Sequence, residues 1–231
     1  MCGRYASARS VDDLASTFGI SVGDVDASTA PDWNVAPTKS VPAVVVRDGR
    51  RVLTTLRWGL VPGWADRMPA ATLFNARIET ITEKPAFRDA VRSRRCLLPA
   101  DGWYEWVTLP DGRRVPHYIT SVDGGVVALA GVWERWTDSE GRELTSAAIV
   151  TRAAPPELRH LHGRAPVVVA PDLWWQWLDP DDRGAELVTE LGVAPPPPTQ
   201  AWPVGRQVGD VGAAGPALAA PVQVDEQPSL F

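Results

Sequence analysis

The sequence predicts a single, mainly antiparallel α+β domain, barrel-like or built of two packed sheets, with a few short helices. Three observations predict it. Runs rich in Val, Ile, Thr and aromatic residues are separated by hairpin turns such as Asp48-Gly49 and Asp111-Gly112. Helix signals are few and short. The strand–helix alternation of a doubly wound fold is missing, and so is any Gly-rich phosphate loop. With 231 residues, 45% of them apolar, the chain holds enough core for one large domain.

In order, residues 10–19 read as a short helix. Ser10 is placed to cap it, Asp13 completes the Ser-x-x-acid box and Gly19 ends it. Residues 21–32 are polar and loop-like. Residues 42–46 and 51–56 form a hairpin around Arg47-Asp-Gly-Arg50. Trp58-Gly-Leu-Val-Pro-Gly-Trp64 is too interrupted by Gly and Pro for regular structure and reads as a rigid aromatic loop. Residues 82–91 predict a helix with Pro85 in its first turn. Residues 97–107 predict a strand broken near Asp101-Gly102, and 116–121, 126–136 and 144–151 predict further strands. Residues 156–161 suit a helical turn, 167–169 a short buried strand, and 172–178 the start of a helix. Residues 192–199 form a polyproline spacer, and from Gly212 the Ala/Gly/Pro composition predicts a flexible tail. The expected organisation is a domain over 2–190, a spacer and ordered strap over 191–211, and a tail over 212–231.

Composition narrows the function. Two cysteines, Cys2 and Cys96, exclude a disulfide framework and fit a reducing compartment. No run reaches transmembrane length, and the expected setting is cytoplasmic and nucleoid-associated, with no membrane partner and a monomeric chain. Net charge is −5, yet it is unevenly spread: residues 1–100 hold 14 basic and 10 acidic side chains, and residues 101–231 hold 9 and 18. Arg57, Arg67, Arg77, Lys84, Arg88, Arg92, Arg94 and Arg95 make a basic strip in sequence, the kind of feature polyanions require.

The first residues carry unusual chemistry. Removal of Met1 ahead of so small a residue as Cys2 would leave an amine and a thiol on one Cα. Such a 1,2-aminothiol condenses with an aldehyde to a five-membered thiazolidine, and it can also act as a plain nucleophile. Glu105 and Glu134 both lie between large aromatics, a setting that raises a carboxyl pKa, and their context alone does not choose between them. Asn75 and Arg77 share a face if extended, as do His160 and His162. His117 reads as a surface or packing residue. Neither histidine pair nor cysteine spacing makes a zinc site, so no metal or cofactor is expected.

Seven stretches then occur in a familiar order: Met1-Cys-Gly-Arg-Tyr5, Trp33-Asn-Val-Ala-Pro-Thr38, Arg57-Trp-Gly-Leu-Val-Pro-Gly-Trp64, Asn75-Ala-Arg-Ile-Glu-Thr80, Arg95 to Trp106, Ala130-Gly-Val-Trp133 and His162-Gly-Arg-Ala-Pro166. Together they resemble the SOS response-associated peptidase family, whose members crosslink covalently to abasic sites in single-stranded DNA. The resemblance implies that family's fold and a catalytic set of Cys2, Asn75, Glu105 and His162. It implies DNA contacts by Arg4, Trp64, Arg77 and Thr151, and single-stranded or junction DNA bearing abasic sites as the partner. Ala165 stands where the family usually has Met. The competing readings are a Cys-dependent peptidase limited mainly to removing Met1, and a non-covalent single-strand binder. Finally, Gln227-Pro-Ser-Leu-Phe231 resembles the pentapeptide by which bacterial replication proteins dock on the sliding clamp, with Gln227, Leu230 and Phe231 as its contacts.

Overall fold

The computed structural model describes residues 2–180 and 184–223. In chain order the strands are β1 (Tyr5–Ser7), β2 (Asp32–Val35), β3 (Ser40–Arg47), β4 (Arg50–Trp58), β5 (Asn75–Arg77), β6 (Arg95–Ala100), β7 (Gly102–Thr108), β8 (Arg114–Ser121), β9 (Val127–Thr137), β10 (Glu143–Ala153), β11 (Arg164–Pro166) and β12 (Thr199–Pro203). The helices are α1 (Val11–Thr17), α2 (Ala90–Ser93), α3 (Trp174–Leu178) and α4 (Gly184–Val193).

Strands β10, β4, β3, β6 and β9 pair in that order, and β9 pairs again with β10, so these five close on themselves as a barrel. β5 and β11 extend the sheet along β10. Pairing is antiparallel except where β10 meets β4 and β5. A second sheet, ordered β12-β8-β7-β1-β2, packs on the barrel: Tyr5, Trp103 and Ile119 from it share a buried cluster with Val41, Leu98 and Ile149. The mainly antiparallel α+β architecture is therefore the one the sequence predicts.

The switch between the two layers falls at Asp101, where the broken-strand signal lies. β6 ends in the barrel at Ala100 and β7 starts in the second sheet at Gly102. A Cβ on Gly102 would lie 2.4 Å from the Ile119 carbonyl, so only glycine permits that approach. Asp101 secures the corner by accepting from the Ala8 amide at 2.6 Å and from Arg9 Nε at 3.1 Å.

Several local expectations hold. Ser10 caps α1, its hydroxyl accepting from the Asp13 amide at 3.1 Å, and Gly19 turns the chain with φ +58°. Asp48-Gly49 makes the β3–β4 hairpin, with both residues at positive φ. Others are corrected. Only Ala90 and Val91 of the helix expected over 82–91 are helical, as the start of α2, and residues 82–89 are successive turns and a bend. Pro85 offers no N–H and disfavours helical backbone in the residue before it, which divides the segment. The strand expected at 167–169 lies earlier, at Arg164–Pro166. β2 and α4 occupy segments to which the sequence reading gave no element, and β12 falls within the spacer and strap expected over 191–211.

The largest difference is at the C-terminus. Residues 212–223, expected to begin a flexible tail, pack against the second sheet through a short 3-10 turn at Pro216–Ala219. Val208, Leu218 and Ala219 are buried against Ala6, Tyr104 and Tyr118, so apolar burial supplies what composition did not suggest. Residues 224–231, with the motif residues Gln227, Leu230 and Phe231, lie outside the described residues. Among those described, no helix is long and apolar enough to cross a membrane.

Candidate active site

The site forms where the N-terminal segment meets β7. Tyr5 of β1 is opposite Trp103, and the Tyr104 amide donates to the Arg4 carbonyl at 2.9 Å. Continuing this antiparallel register carries Gly3 and Cys2 past Glu105. Cys2 is fully buried, in a cluster that includes Trp103, Leu158, Leu161 and Ala165. Burial, with the Glu105 charge adding to it, pushes the Cys2 thiol far above its ordinary pKa, so it is held protonated.

Asn75 reaches the same place from β5. An aromatic chain sets its approach: Tyr5 packs edge-on to Trp58 at 5.1 Å, and Trp58 packs edge-on to Phe74 at 5.9 Å. Trp58 Nε1 also donates to the Phe74 carbonyl at 2.8 Å, fixing the residue before Asn75. Asn75 Nδ2 then donates to the Cys2 carbonyl at 2.8 Å, while its Oδ1 is buried and accepts no hydrogen bond. Because β5 is extended, Arg77 shares the face of Asn75, and it is exposed to solvent.

Glu105 and His162 line one small cavity with Trp103, Ile119, Leu158 and Leu161. Burial raises the Glu105 pKa, and the nearby His162 charge opposes that rise. Glu134, indistinguishable by sequence context, is elsewhere and bound by Arg94. His162 Nδ1 accepts from the Arg164 amide at 2.9 Å and lies 3.1 Å from the Arg164 carbonyl. The first contact assigns the ring proton of the neutral imidazole to Nε2; the second provides an acceptor when Nδ1 is protonated. His160 is exposed. His117, read from sequence as a surface or packing residue, stands directly across the ladder from Glu105, a neighbour only strand register reveals.

Arg164 ties these elements together. Its fork meets both carboxylate oxygens of Glu79, at 2.6 and 3.0 Å, and it donates to the Thr151 carbonyl at 2.8 Å and hydroxyl at 3.2 Å. Thr151, expected as a DNA contact, is fully buried and supports Arg164 through its carbonyl and hydroxyl. Trp64 is 65% exposed on its loop, available for stacking. Arg95, counted in the basic strip, is 2% exposed and donates to the carbonyls of Val91, Arg92, Trp177 and Asp179, so it belongs to the core. A groove of about 770 Å³ between α4 and residues 152–159 includes Glu79 but none of Cys2, Asn75, Glu105 or His162.

The family model described as SOS response associated peptidase (SRAP) matches residues 1–211. The chain belongs to the SRAP family. Among its SRAP relatives, the abasic site processing protein YoaM of Bacillus subtilis is 35% identical over 192 residues, covering 83% of this chain and 85% of that protein. The abasic site processing protein YedK of Escherichia coli is 32% identical, covering 96% and 100%. A crystal structure of a Bacteroides thetaiotaomicron protein superposes with a TM-score of 0.84 at 22% identity, over 96% of this chain and 100% of that one, and so shares the SRAP fold.

Proposed function

We propose that the protein processes abasic sites in single-stranded DNA by forming a thiazolidine between Cys2 and the ring-opened sugar aldehyde. The observation that carries this reading is the convergence on Cys2 of Asn75, with a buried and unoccupied Oδ1, and of Glu105, a carboxyl whose pKa burial raises. The names of the relatives support the abasic site as target.

The thiol and the amine have different states. A thiol held protonated is a poor first nucleophile, whereas an α-amine released by loss of Met1 titrates near about 7.7–8.0 and is partly neutral at working pH. The amine therefore attacks the C1′ aldehyde first. Asn75 Oδ1 accepts one of its N–H groups and aims its lone pair. Protonated Glu105 donates to the ring oxygen on opening and to the departing hydroxyl of the carbinolamine, so that water leaves and an imine forms. The thiol then adds to the imine carbon, its proton passing to the nitrogen through Glu105, and His162 Nε2 assists these transfers. One water is lost overall.

Arg4 and Arg77 hold flanking phosphates and Trp64 stacks on a base, which makes recognition salt-dependent and indifferent to sequence. A peptidase role for Cys2 would call for a thiolate, which burial opposes. The test is a denaturation-resistant adduct with single-stranded DNA carrying one abasic site, lost in Cys2→Ala.

A further inference from the structure

Arg4 is held in an unusual way. Its Nη1 donates to Asn34 Oδ1 at 2.7 Å and to the Val208 carbonyl at 2.8 Å. No carboxylate pairs with it among the described residues, although burial works against its charge. The charges of Asp32 and Asp210 lie near enough to favour the guanidinium without bonding to it, so its direct partners are neutral oxygens and it is not locked in an ion pair when an anion arrives.

Asn34 is what makes this arrangement rigid. It is fully buried, and while Oδ1 serves Arg4, its Nδ2 donates to the carbonyls of Asp210 at 2.7 Å and Ala213 at 3.0 Å. Its own amide donates to Asp32 Oδ1, and Lys39 bridges Asp32 and the Asn34 carbonyl. One carboxamide thus joins the segment that carries the reacting cysteine to a strap nearly at the other end of the chain. The strap is anchored by buried Val208 and Leu218 and by Trp202 Nε1 donating to the Ala219 carbonyl at 2.8 Å.

We propose that residues 205–219 are a wall of the strand-binding site, and that Asn34 is the positioning residue through which this strap holds Arg4 ready for a DNA phosphate beside Cys2. The inference rests on the reading of Arg4 as a phosphate contact given above. With both anchoring bonds leaving from Nη1, the Nη2 edge is the one presented to the strand. The side chain pays little ordering entropy on binding because it is already fixed.

The test is binding of undamaged single-stranded oligonucleotide across a salt series, with thermal melting to confirm folding. Arg4→Ala should lower the slope of log K against log salt by about 0.7, the loss of one single-strand phosphate contact. Asn34→Ala should lower it by the same amount, and the double variant no further. Asn34→Asp is the second variant: its carboxylate pairs with Arg4 and cannot donate to the strap, so the slope should fall there as well. A purely structural Asn34 would lower melting temperature and leave the slope alone. A wild-type slope in folded Asn34→Ala or Asn34→Asp, beside a reduced one in Arg4→Ala, would overturn the inference. An unchanged slope in Arg4→Ala would instead remove the phosphate reading on which it stands.

Discussion

Asn75 donates to the Cys2 carbonyl at 2.8 Å, joining residues 73 positions apart, and leaves its Oδ1 buried without a donor. A buried acceptor without a donor carries a desolvation cost of about 1–3 kcal/mol, which a released Cys2 amine would relieve. Asn75→Leu keeps the volume and removes both polar ends. It exchanges one orphaned acceptor, Oδ1, for another, the Cys2 carbonyl, so the loss of stability should be about 1 kcal/mol, the net worth of the hydrogen bond. Adduct formation should slow by about tenfold or more, for loss of orientation alone. Single-turnover crosslinking beside calorimetry separates the two effects.

Glu105 sits with its pKa raised, chiefly by burial. A carboxyl raised in the folded state keeps a proton that the unfolded chain releases, so stability declines as pH rises above the unfolded value of about 4.3. Glu105→Gln removes that decline. The variant should melt higher than wild type at pH 7 and match it more closely at pH 4. It should also crosslink about 10²–10⁴ times more slowly, the range for losing a general acid. Melting curves at the two pH values and a rate–pH profile check both halves.

Trp64 is exposed and makes one long hydrogen bond, from Nε1 to the Pro85 carbonyl at 3.4 Å. Trp64→Ala should weaken single-strand binding by about 1–3 kcal/mol, as for one stacked base. Its melting temperature should stay within about 2 °C of wild type, since exposed substitutions rarely cost more than about 0.5 kcal/mol. Fluorescence anisotropy and a melting scan suffice.

Arg95 predicts the opposite pattern. Replacing it with Leu strips donors from the carbonyls of Val91, Arg92, Trp177 and Asp179 in the core. A loss of about 3 kcal/mol or more in stability is expected, with single-strand binding unchanged in the folded fraction. Urea titration and anisotropy test it.

The sequence made the local grammar legible. Ser10, Gly19, Asp48-Gly49 and the break at Asp101-Gly102 each act through contacts within a few residues, and each works as read. What escaped depends on distance in the chain. An ordered strap was expected only as far as residue 211; its continuation was hidden because Ala, Gly and Pro look disordered until Leu218 and Ala219 find Tyr104 and Tyr118. Arg95 and Thr151 looked like surface residues because their burial is decided by α3, β5 and Arg164. Equal aromatic surroundings gave no preference between Glu105 and Glu134; motif order chose Glu105, and the Arg94 pair on Glu134 was visible only in the fold. The roles given to Cys2, Asn75, Glu105 and His162 came from motif order, and their spatial convergence from topology.

The central claim is that Cys2 acts as an aminothiol, and one measurement addresses it directly. Protein verified by mass to lack Met1 is incubated, without reductant, with a single-stranded oligonucleotide containing one abasic site, then denatured and weighed. The account predicts a stable species with the summed mass of protein and oligonucleotide less one water, and none with Cys2→Ala. An undiminished adduct in the Cys2→Ala protein would contradict it.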